Sequence, residues 1–541
     1  MEDHISDNPA TNATSRRKFL RTGLPLAAAT LGVVATASPA IAQTPPTTQT
    51  VNSIGDLRLL AVPSTPASVI VLGFKKAGDG GGGTFFWNSQ FVPNPASGVP
   101  DDGGTIIIPN GYTATSPGRW LRVFSGALNP KWFGALGNNT ERTPQNDGVD
   151  ISSAPWNVWP AFTLDSNPYN AYPGYGPSRI DFTPISQSST PFQNTMSWDS
   201  IGIQLALFSV GVGPAPAQDP NGQGAGEVAI PGGIYQLSQF LYYTNAMRAT
   251  LSGAGMLQTI LTKTPGTFDN SSVLDLYRIG GTPTTVRDLG FSGPKGGGTT
   301  NFSLIRQMNT NGVHIERCWL TVCQKGIDYS DTCSDSYVTD CSAEFCETVL
   351  NIASGSELIV ESCNFWQSGV GVFYTGIQTA GNLYCVGNRF IGFQNYSINS
   401  TGGYLQAADN NFSQFSGTLA AIYAPAGGAV ISGNHIVGGS RGVLIDVGAN
   451  SAITGNYVEQ QAQHACLNIH QGASRAVVSG NTFICNPNSP PVEGGAIISV
   501  QQGSNYNSGC SECLISNNIT NLPNGINVNP TTNTVVNNLN G

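Results

Sequence analysis

Charged residues are scarce in this sequence of 541 residues, which has 23 lysines and arginines and 32 aspartates and glutamates. Together they make up 10% of the chain, against about 25% in ordinary soluble domains. The formal net charge of −9 also lacks the basic excess that a phosphate-binding surface needs, so we expect no nucleic-acid partner. The five histidines form no H-E-x-x-H or H-x-H pattern, and the sequence predicts no metal site.

Glycine, by contrast, is abundant, with 66 residues. A hydrophobic fraction of 40% leaves enough material for a core, so the chain is not expected to be disordered. Few charges combined with many Gly, Asn, Ser and Thr residues favour a β-rich, exported protein. Such a surface makes its contacts mainly by hydrogen bonding, as a sugar-binding protein does.

The first 42 residues are predicted to be an export signal that is removed before Gln43. Residues 15–20 read S-R-R-K-F-L, which resembles the twin-arginine motif, and an A-I-A cleavage site ends the segment. The apolar stretch at 23–37 has about 15 residues, short of the roughly 20 that span a bilayer. We therefore expect export by the twin-arginine machinery of a bacterium, a periplasmic or extracellular location, and no membrane span after cleavage.

A repeat of 22–25 residues runs through the second half of the chain. Such a step matches one coil of a three-sided parallel β-helix, with Gly- and Asn-rich corners between short strands. Equivalent residues of adjacent coils then lie about 4.8 Å apart, and repeated asparagines can form a hydrogen-bonded ladder. The repeated Cys or Asn positions are Cys318, Cys341, Cys363, Asn388, Asn410, Asn434, Asn456, Asn481, Asn517 and Asn537.

All 11 cysteines lie between Cys318 and Cys513. Several fall in columns of the repeat, with Cys323 and Cys346 as a second column, so we interpret them as small buried apolar groups. A disulfide between coils stays open, because about 4.8 Å is within the Cα range of a disulfide. Before the coils, residues 199–208 have helical apolar spacing with Asp199 as N-cap, and this helix is expected to plug the open end of the stack.

Four landmarks resemble the pectate-lyase-like superfamily, and in particular its rhamnogalacturonase- and epimerase-type domains and phage tailspikes. They are W-F-G-A at 132–135, the helix D-S-I-G-I-Q-L-A at 199–206, the strand V-A-I-P-G-G-I-Y at 228–235, and L-S-G-A-G at 251–255. The resemblance implies an all-β fold: a right-handed single-stranded parallel β-helix (pectin-lyase-like) with a small N-terminal β domain and a short capping helix. It also implies a possible homotrimer.

The resulting organisation has four parts. Residues 1–42 are the signal, 43–130 a small Gly-rich β domain, 131–198 the F-G-A motif with an aromatic, Pro- and Asn-rich insertion, and 199–541 the helix and coils. The family usually continues F-G-A with G-D-G and an acidic pair, whereas this chain has Gly137-Asn138-Asn139. The insertion either covers a groove, mediates trimer contacts, or is a surface decoration.

Carbohydrate cleavage on such a scaffold needs carboxylates that face one another. Acidic residues concentrate on the coils after Cys318, where we predict Glu344 and Glu347 as acid and base or nucleophile. Asp328 and Asp331 are the second candidates, with solvated corner residues as the alternative interpretation.

Side chains on the same coils are predicted to bind the sugar. Lys325 and Glu347 are expected to be near neighbours on adjacent coils, with a surface ion pair as the alternative interpretation. Glu344 shares a column with Trp366, whose ring offers a face to a pyranose. The predicted binding residues are Trp366, Arg389, Lys325 and Tyr374; further along, Tyr396, Asp446, Glu459 and His470 are each interpreted singly as surface residues.

The sequence therefore favours an exported polysaccharide-degrading enzyme, a glycoside hydrolase with paired carboxylates. Motifs of polygalacturonase-type hydrolases (N-T-D, D-D, G-H-G, R-I-K) are absent from the coils. A polysaccharide lyase, with Ca²⁺ as its only expected cofactor, and a fructotransferase-like transglycosylase are alternatives on the same fold. A non-catalytic, tailspike-like fibre that binds glycan is the alternative from another class.

Overall fold

The computed structural model describes residues 49–91, 101–113, 115–148, 195–212, 226–244, 249–264, 272–277, 284–293, 302–353, 355–374, 381–416, 419–439, 442–461, 464–470, 473–486, 488, 498–500, 512–521, 526–527 and 533–540. The predicted export signal, residues 149–194 of the aromatic insertion, and Cys510 lie outside the described residues. Within the described residues, no helix combines the length and the apolar character that crossing a bilayer requires.

A five-stranded sheet and a short helix precede the coils, inside the segment that the sequence assigned to a small β domain. The strands are β1 Gln49–Val51, β2 Ser68–Val71, β3 Gly83–Asn88, β4 Ile106–Ile107 and β5 Arg119–Arg122, and the helix is α1 Ile54–Leu59. Their order is β1-β2-β3-β5-β4, with β1 parallel to β2 and the other pairs antiparallel. Arg122 is buried and donates to the carbonyls of Gly81, Gly82 and Gly104 at 2.8, 2.6 and 2.7 Å, so it ties the glycine-rich loop to the sheet.

A short connection joins this sheet to the coils. It contains the 3₁₀ helices Pro130–Phe133 and Gln145–Asp147. Gly134 ends the first of them with φ of 101°, a conformation that glycine adopts freely.

The capping helix α2 spans Trp198–Val212. The prediction that Asp199 is its N-cap is wrong, because the Oγ atom of Ser197 accepts from the Ser200 N–H at 3.1 Å and so occupies that position. The Asp199 carboxylate instead accepts from the N–H groups of Leu136 (2.6 Å), Gly137 (3.0 Å) and Gln236 (2.9 Å). It thereby fixes the helix to both the F-G-A segment and the first coil.

The helix also covers the open end of the coil stack at the first coil. The Gln204 side chain donates to the Tyr242 carbonyl at 2.9 Å and accepts from the Tyr242 N–H at 2.7 Å. Three of its own side chains, Ile201, Ile203 and Leu205, are fully buried. This is the plug that a stack of coils needs, since its end strand would otherwise expose unpaired backbone groups.

The coils form a right-handed parallel β-helix with three faces, each made of parallel strands from successive coils. Face 1 consists of Gly226–Ile230, Ala249–Gly253, Thr284–Arg287, Val313–Glu316, Cys333–Thr339, Ser356–Glu361, Asn382–Val386, Tyr404–Ala408, Ala429–Ser432, Ala452–Thr454, Val477–Ser479, Leu514–Ser516 and Thr534–Val536, with the short strand Thr310–Asn311 beside it. Face 2 consists of Gly233–Leu237, Thr259–Lys263, Gly290–Ser292, Asn364–Trp366, Arg389–Ile391, Asn411–Ser416, His435–Gly439, Tyr457–Gln460, Thr482–Cys485, Ile519–Thr520 and Leu539–Asn540.

Face 3 follows face 2 in every coil. It consists of Leu241–Thr244, Ser272–Tyr277, Ser303–Met308, Val370–Tyr374, Tyr396–Ser400, Ala420–Ala424, Ile445–Val447, Leu467–Ile469, Ile498–Val500 and Ile526–Asn527. Two longer strands, Trp319–Tyr329 and Ser342–Ile352, run through faces 2 and 3. They bend at Val322 and Phe345, which have φ of 53° and 55°.

The corner between faces 1 and 2 carries the predicted ladder. Asn388 donates from its N–H to the Oδ1 atom of Asn410 at 2.9 Å, and Asn410 donates likewise to Asn434 at 3.0 Å. All three side chains are about 1% exposed. The prediction was wrong by one residue near the end: Asn517 and Asn537 hold the left-handed corner at φ of 55° and 52°, and the ladder continues through Asn518 and Asn538.

The ten described cysteines are free thiols. Cys318, Cys341 and Cys363 begin the ladder column, and each thiol donates to the carbonyl two residues before it, at 3.3–3.4 Å. Their burial agrees with the interpretation as small core groups.

Candidate functional site

The four predicted acids are distributed over two faces of the coils and the corners beside them. Asp328 is on face 3 and 5% exposed, and it accepts from Lys325 Nζ (3.0 Å), Ser330 Oγ (3.0 Å), Ser303 Oγ (3.3 Å) and Asn351 Nδ2 (2.6 Å). Four donors match the lone-pair capacity of a carboxylate. This arrangement suits a group that holds three coils together.

Asp331 lies at the following corner, where its Oδ1 atom accepts from the Thr332 N–H at 2.7 Å. Glu344 is on face 2, and Glu347 is exposed at the bend towards face 3. These acids therefore belong to two faces and the corners beside them, because strand alternation and the bends between faces separate the residues of one acidic stretch.

The neighbour relations of the predicted binding residues are partly as expected. Trp366 is in register with Glu344, and its Nε1 atom donates to Glu344 Oε2 at 2.7 Å. Lys325 and Glu347 lie on adjacent coils, one residue out of register, since Lys325 is in register with Thr348; the ammonium group of Lys325 pairs with Asp328.

The other two predicted binding residues, Arg389 and Tyr374, lie on different parts of the coils. Arg389 is exposed on face 2, in register with Asn364 rather than with Trp366. Tyr374 is 1% exposed, with its hydroxyl 3.5 Å from the Gly355 carbonyl oxygen. Its prediction as a surface binding residue is corrected accordingly: alternation along the strand places the ring in an inward column.

Five other residues, which the sequence analysis did not bring together, form a group on face 3 that we call the Tyr–Asp–His cluster. Its members are Tyr396, Tyr423, Asp446, Asn468 and His470. The two tyrosine rings stack with centroids 5.2 Å apart, and the ring of His470 meets Tyr423 edge-on at 5.8 Å. His470 Nε2 lies 3.1 Å from Asp446 Oδ1, and this oxygen accepts from Asn468 Nδ2 at 2.8 Å.

Register explains how residues so far apart in sequence meet. Asn399, Tyr423, Asp446 and Asn468 are successive partners in one outward column of face 3. His470 follows the strand Leu467–Ile469, and its N–H donates to the Val447 carbonyl at 2.8 Å. The cluster thus spans consecutive coils and is held by backbone pairing on both sides.

Burial is the largest cause of the raised pKa values in the cluster. It is the main cause that raises the pKa of Asp446, against the opposing effects of His470 and Asn468. Burial and then the Asp446 carboxylate raise the pKa of Tyr423. Burial also raises the pKa of Tyr396, with smaller contributions from Tyr423 and Asp446. The phenols therefore keep their protons at neutral pH and can donate them.

No set of three His, Cys, Asp or Glu side chains in the described part of the chain could hold a metal ion. The Tyr–Asp–His cluster has a single carboxylate, whereas Ca²⁺ takes six to eight oxygen ligands. The residues described in this cluster therefore do not fit the calcium ion that the sequence analysis linked to a lyase.

A comparison with known protein families finds a match for the segment that contains the N-terminal sheet. Residues 50–125 match the family model of the phage tail protein small four-stranded β-sheet domain. No curated protein matches the sequence. The coils have the architecture that the resemblance to the pectate-lyase-like superfamily implied.

Several solved structures are similar in fold. Tailspike protein gp49 of Acinetobacter baumannii bacteriophage Fri1, a capsular polysaccharide depolymerase, is 13% identical over 91% of this chain and 75% of that one, with a TM-score of 0.44. The enzymatically active domain of tailspike protein 2 from bacteriophage CBA120 is 14% identical over 86% of this chain, which spans 57% of that domain's length, with a TM-score of 0.37. The A-module of the Azotobacter vinelandii mannuronan C-5 epimerase AlgE6 is 13% identical over 76% of this chain and 99% of that one, with a TM-score of 0.39.

Proposed function

We propose that this protein is a polysaccharide-acting enzyme and that the Tyr–Asp–His cluster is its reaction centre. The observation that carries the proposal is the His470–Asp446 pair against the stacked rings of Tyr396 and Tyr423. It combines a group that can take a proton, a group that orients it, and phenols that can give one. The ring faces also offer the apolar surface on which a sugar ring stacks.

The cluster is better suited to elimination than to hydrolysis. Glycoside hydrolysis commonly uses two carboxylates across the scissile bond, and the cluster contains only Asp446. Elimination in a uronate-containing chain needs a base for the proton next to the carboxylate and an acid for the leaving oxygen. His470 is assigned the first role and Tyr423 the second.

The His470 Nε2 atom lies 3.1 Å from the Asp446 carboxylate, so we assign the ring proton to Nε2 and the lone pair of the neutral ring to Nδ1. In the proposed step, Nδ1 takes the proton, the bond from the sugar carbon to the glycosidic oxygen breaks, and the Tyr423 phenol protonates that oxygen. A carbon–carbon double bond forms in the new terminal sugar. Asn399 and Asn468 flank Tyr423 and Asp446 in the same column of face 3. Their amides are assigned to stabilise the negative charge that develops on the carboxylate of the sugar.

Hydrolysis by Glu344 and Glu347 is the second candidate. The hydrogen bond from Trp366 to Glu344 favours it, since it places an aromatic face beside an acid. In this case the stack of tyrosines would only bind, and no unsaturated sugar would form.

The test is a panel of plant and bacterial polysaccharides, with reducing ends and the ultraviolet absorbance of unsaturated uronates measured in parallel. On an active polymer, Tyr423→Phe is expected to lower turnover by about 10²–10⁴-fold with an unchanged unfolding midpoint. Tyr384→Phe, on face 1 beside Tyr404, is the matched control and should retain turnover. Glu344→Gln and Glu347→Gln should also retain it.

Other outcomes would contradict the proposal in distinct ways. If Tyr423→Phe kept full turnover while the Glu344 and Glu347 variants lost it, the reaction would be a hydrolysis by paired carboxylates. Retained polysaccharide binding without any product from the wild-type protein would identify a non-catalytic fibre.

A further inference from the structure

Two thiols face each other across adjacent coils at the corner between faces 2 and 3. Cys323 and Cys346 are register partners, and their Sγ atoms are 3.0 Å apart. Cys346 is 3% exposed, whereas Cys323 is half-buried.

The other close thiols have different surroundings. Cys318, Cys341 and Cys363 are at most 2% exposed, and each donates to a nearby carbonyl. Cys466 and Cys485 have Sγ atoms 3.4 Å apart, but both are fully buried. Among the described cysteines, Cys323 alone is not buried.

We infer that Cys323 and Cys346 form a disulfide between coils when the folded protein meets a disulfide oxidant. Register partners in parallel strands have Cα atoms about 4.8 Å apart, within the range of about 4.4–6.8 Å that a disulfide bridges. The Cα spacing and the short Sγ–Sγ distance therefore permit the bond. It would close one complete coil into a covalent ring.

The chemistry is thiol–disulfide exchange. The Cys323 thiolate attacks the oxidant's disulfide and releases one reduced thiol, and the Cys346 thiolate then displaces the second. Two protein thiols become one disulfide, and the oxidant's disulfide becomes two thiols, so protons and electrons balance. Burial raises the pKa of the Cys323 thiol, and the first attack is accordingly the slow step.

The experiment treats the folded full-length protein with oxidised glutathione, alkylates it under denaturing conditions, and maps linked peptides by mass spectrometry. Two fewer of the 11 thiols should react after oxidation, with one linkage joining Cys323 to Cys346. The unfolding midpoint should rise by a few degrees, and dithiothreitol should reverse both changes.

Two variants sharpen the result. Cys323→Ser should lose the linkage and the rise in midpoint, whereas Cys466→Ser, at the buried pair, should keep both. Eleven reactive thiols after oxidation, a linkage elsewhere, or a stable glutathione adduct on Cys323 without a bridge would each overturn the inference. The wild-type map decides the question even if a variant fails to fold.

Discussion

The asparagine ladder makes a sharp prediction at Asn434, in the middle of the column. Its Oδ1 atom accepts from the N–H and the Nδ2 of Asn410, each at 3.0 Å. Its own Nδ2 donates to the Ala407 carbonyl and to Asn456 Oδ1, each at 2.9 Å. The side chain is 1% exposed, so water cannot replace these partners without entering the core.

The expected cost of Asn434→Ala follows from what each partner retains. Asn410 Nδ2 keeps the Cys385 carbonyl, and Asn456 Oδ1 keeps the residue 434 N–H. The Asn410 N–H loses its acceptor, and the Ala407 carbonyl loses one donor. At about 1–3 kcal/mol for each of these two buried groups, the variant should lose about 2–6 kcal/mol of stability.

The assay compares guanidinium unfolding midpoints of the wild type, Asn434→Ala and Asn411→Ala. Asn411 is exposed beside the ladder, and its variant should change stability by less than about 0.5 kcal/mol. Amide hydrogen exchange at Asn410 should also become faster in Asn434→Ala. Equal midpoints for the two variants, with unchanged exchange at Asn410, would refute the ladder as a stabilising element.

Three other predictions follow from buried groups. Arg306→Ala should destabilise the protein by about 3 kcal/mol in guanidinium unfolding. The substitution leaves the carboxylate of Asp275, which is 3% exposed, without its cation. Adding Asp275→Asn to the same chain should recover part of the loss. Burial raises the pKa of Asp446 in the folded state, so the contribution of Asp446 to stability is present below the unfolded pKa of about 3.9 and is lost as the pH rises through the folded pKa. The melting temperature of Asp446→Asn should lack this pH-dependent loss, and a pH profile identical to that of the wild type would contradict the prediction. Gly403→Ala should cost about 2 kcal/mol, since φ is 68° and a Cβ would lie 2.4 Å from the Tyr374 hydroxyl; a wild-type midpoint would exclude this clash.

The ladder could be predicted from sequence because its chemistry is local. Each corner needs a residue in the left-handed conformation, followed by a side chain that both donates and accepts hydrogen bonds. The pairs Gly433-Asn434 and Gly455-Asn456 have this pattern in the sequence, with a glycine at the left-handed position. The prediction failed by one residue at Asn517-Asn518, because asparagine suits both positions. Two adjacent asparagines leave the assignment ambiguous until the backbone is known.

The candidate site could not be predicted in the same way, because offsets from the ladder drift along the stack. Asp328 lies ten residues after Cys318, but Tyr423 lies 13 after Asn410, in a coil with a register shift between Ser413 and Ser416. The corner between faces 2 and 3 varies in length and needs no fixed residue type. Counting from the ladder therefore aligns face 2 correctly and misplaces face 3.

The same drift explains why acid density did not indicate the Tyr–Asp–His cluster. Upstream on face 3, each buried carboxylate is matched by a permanent cation: Asp275 by Arg306, and Asp328 by Lys325. Such pairs are fixed over the whole physiological pH range and suit structure. Asp446 is instead paired with the imidazole of His470. The column thus changes its partner type from Lys or Arg to His at Asp446, and only the register reveals that change.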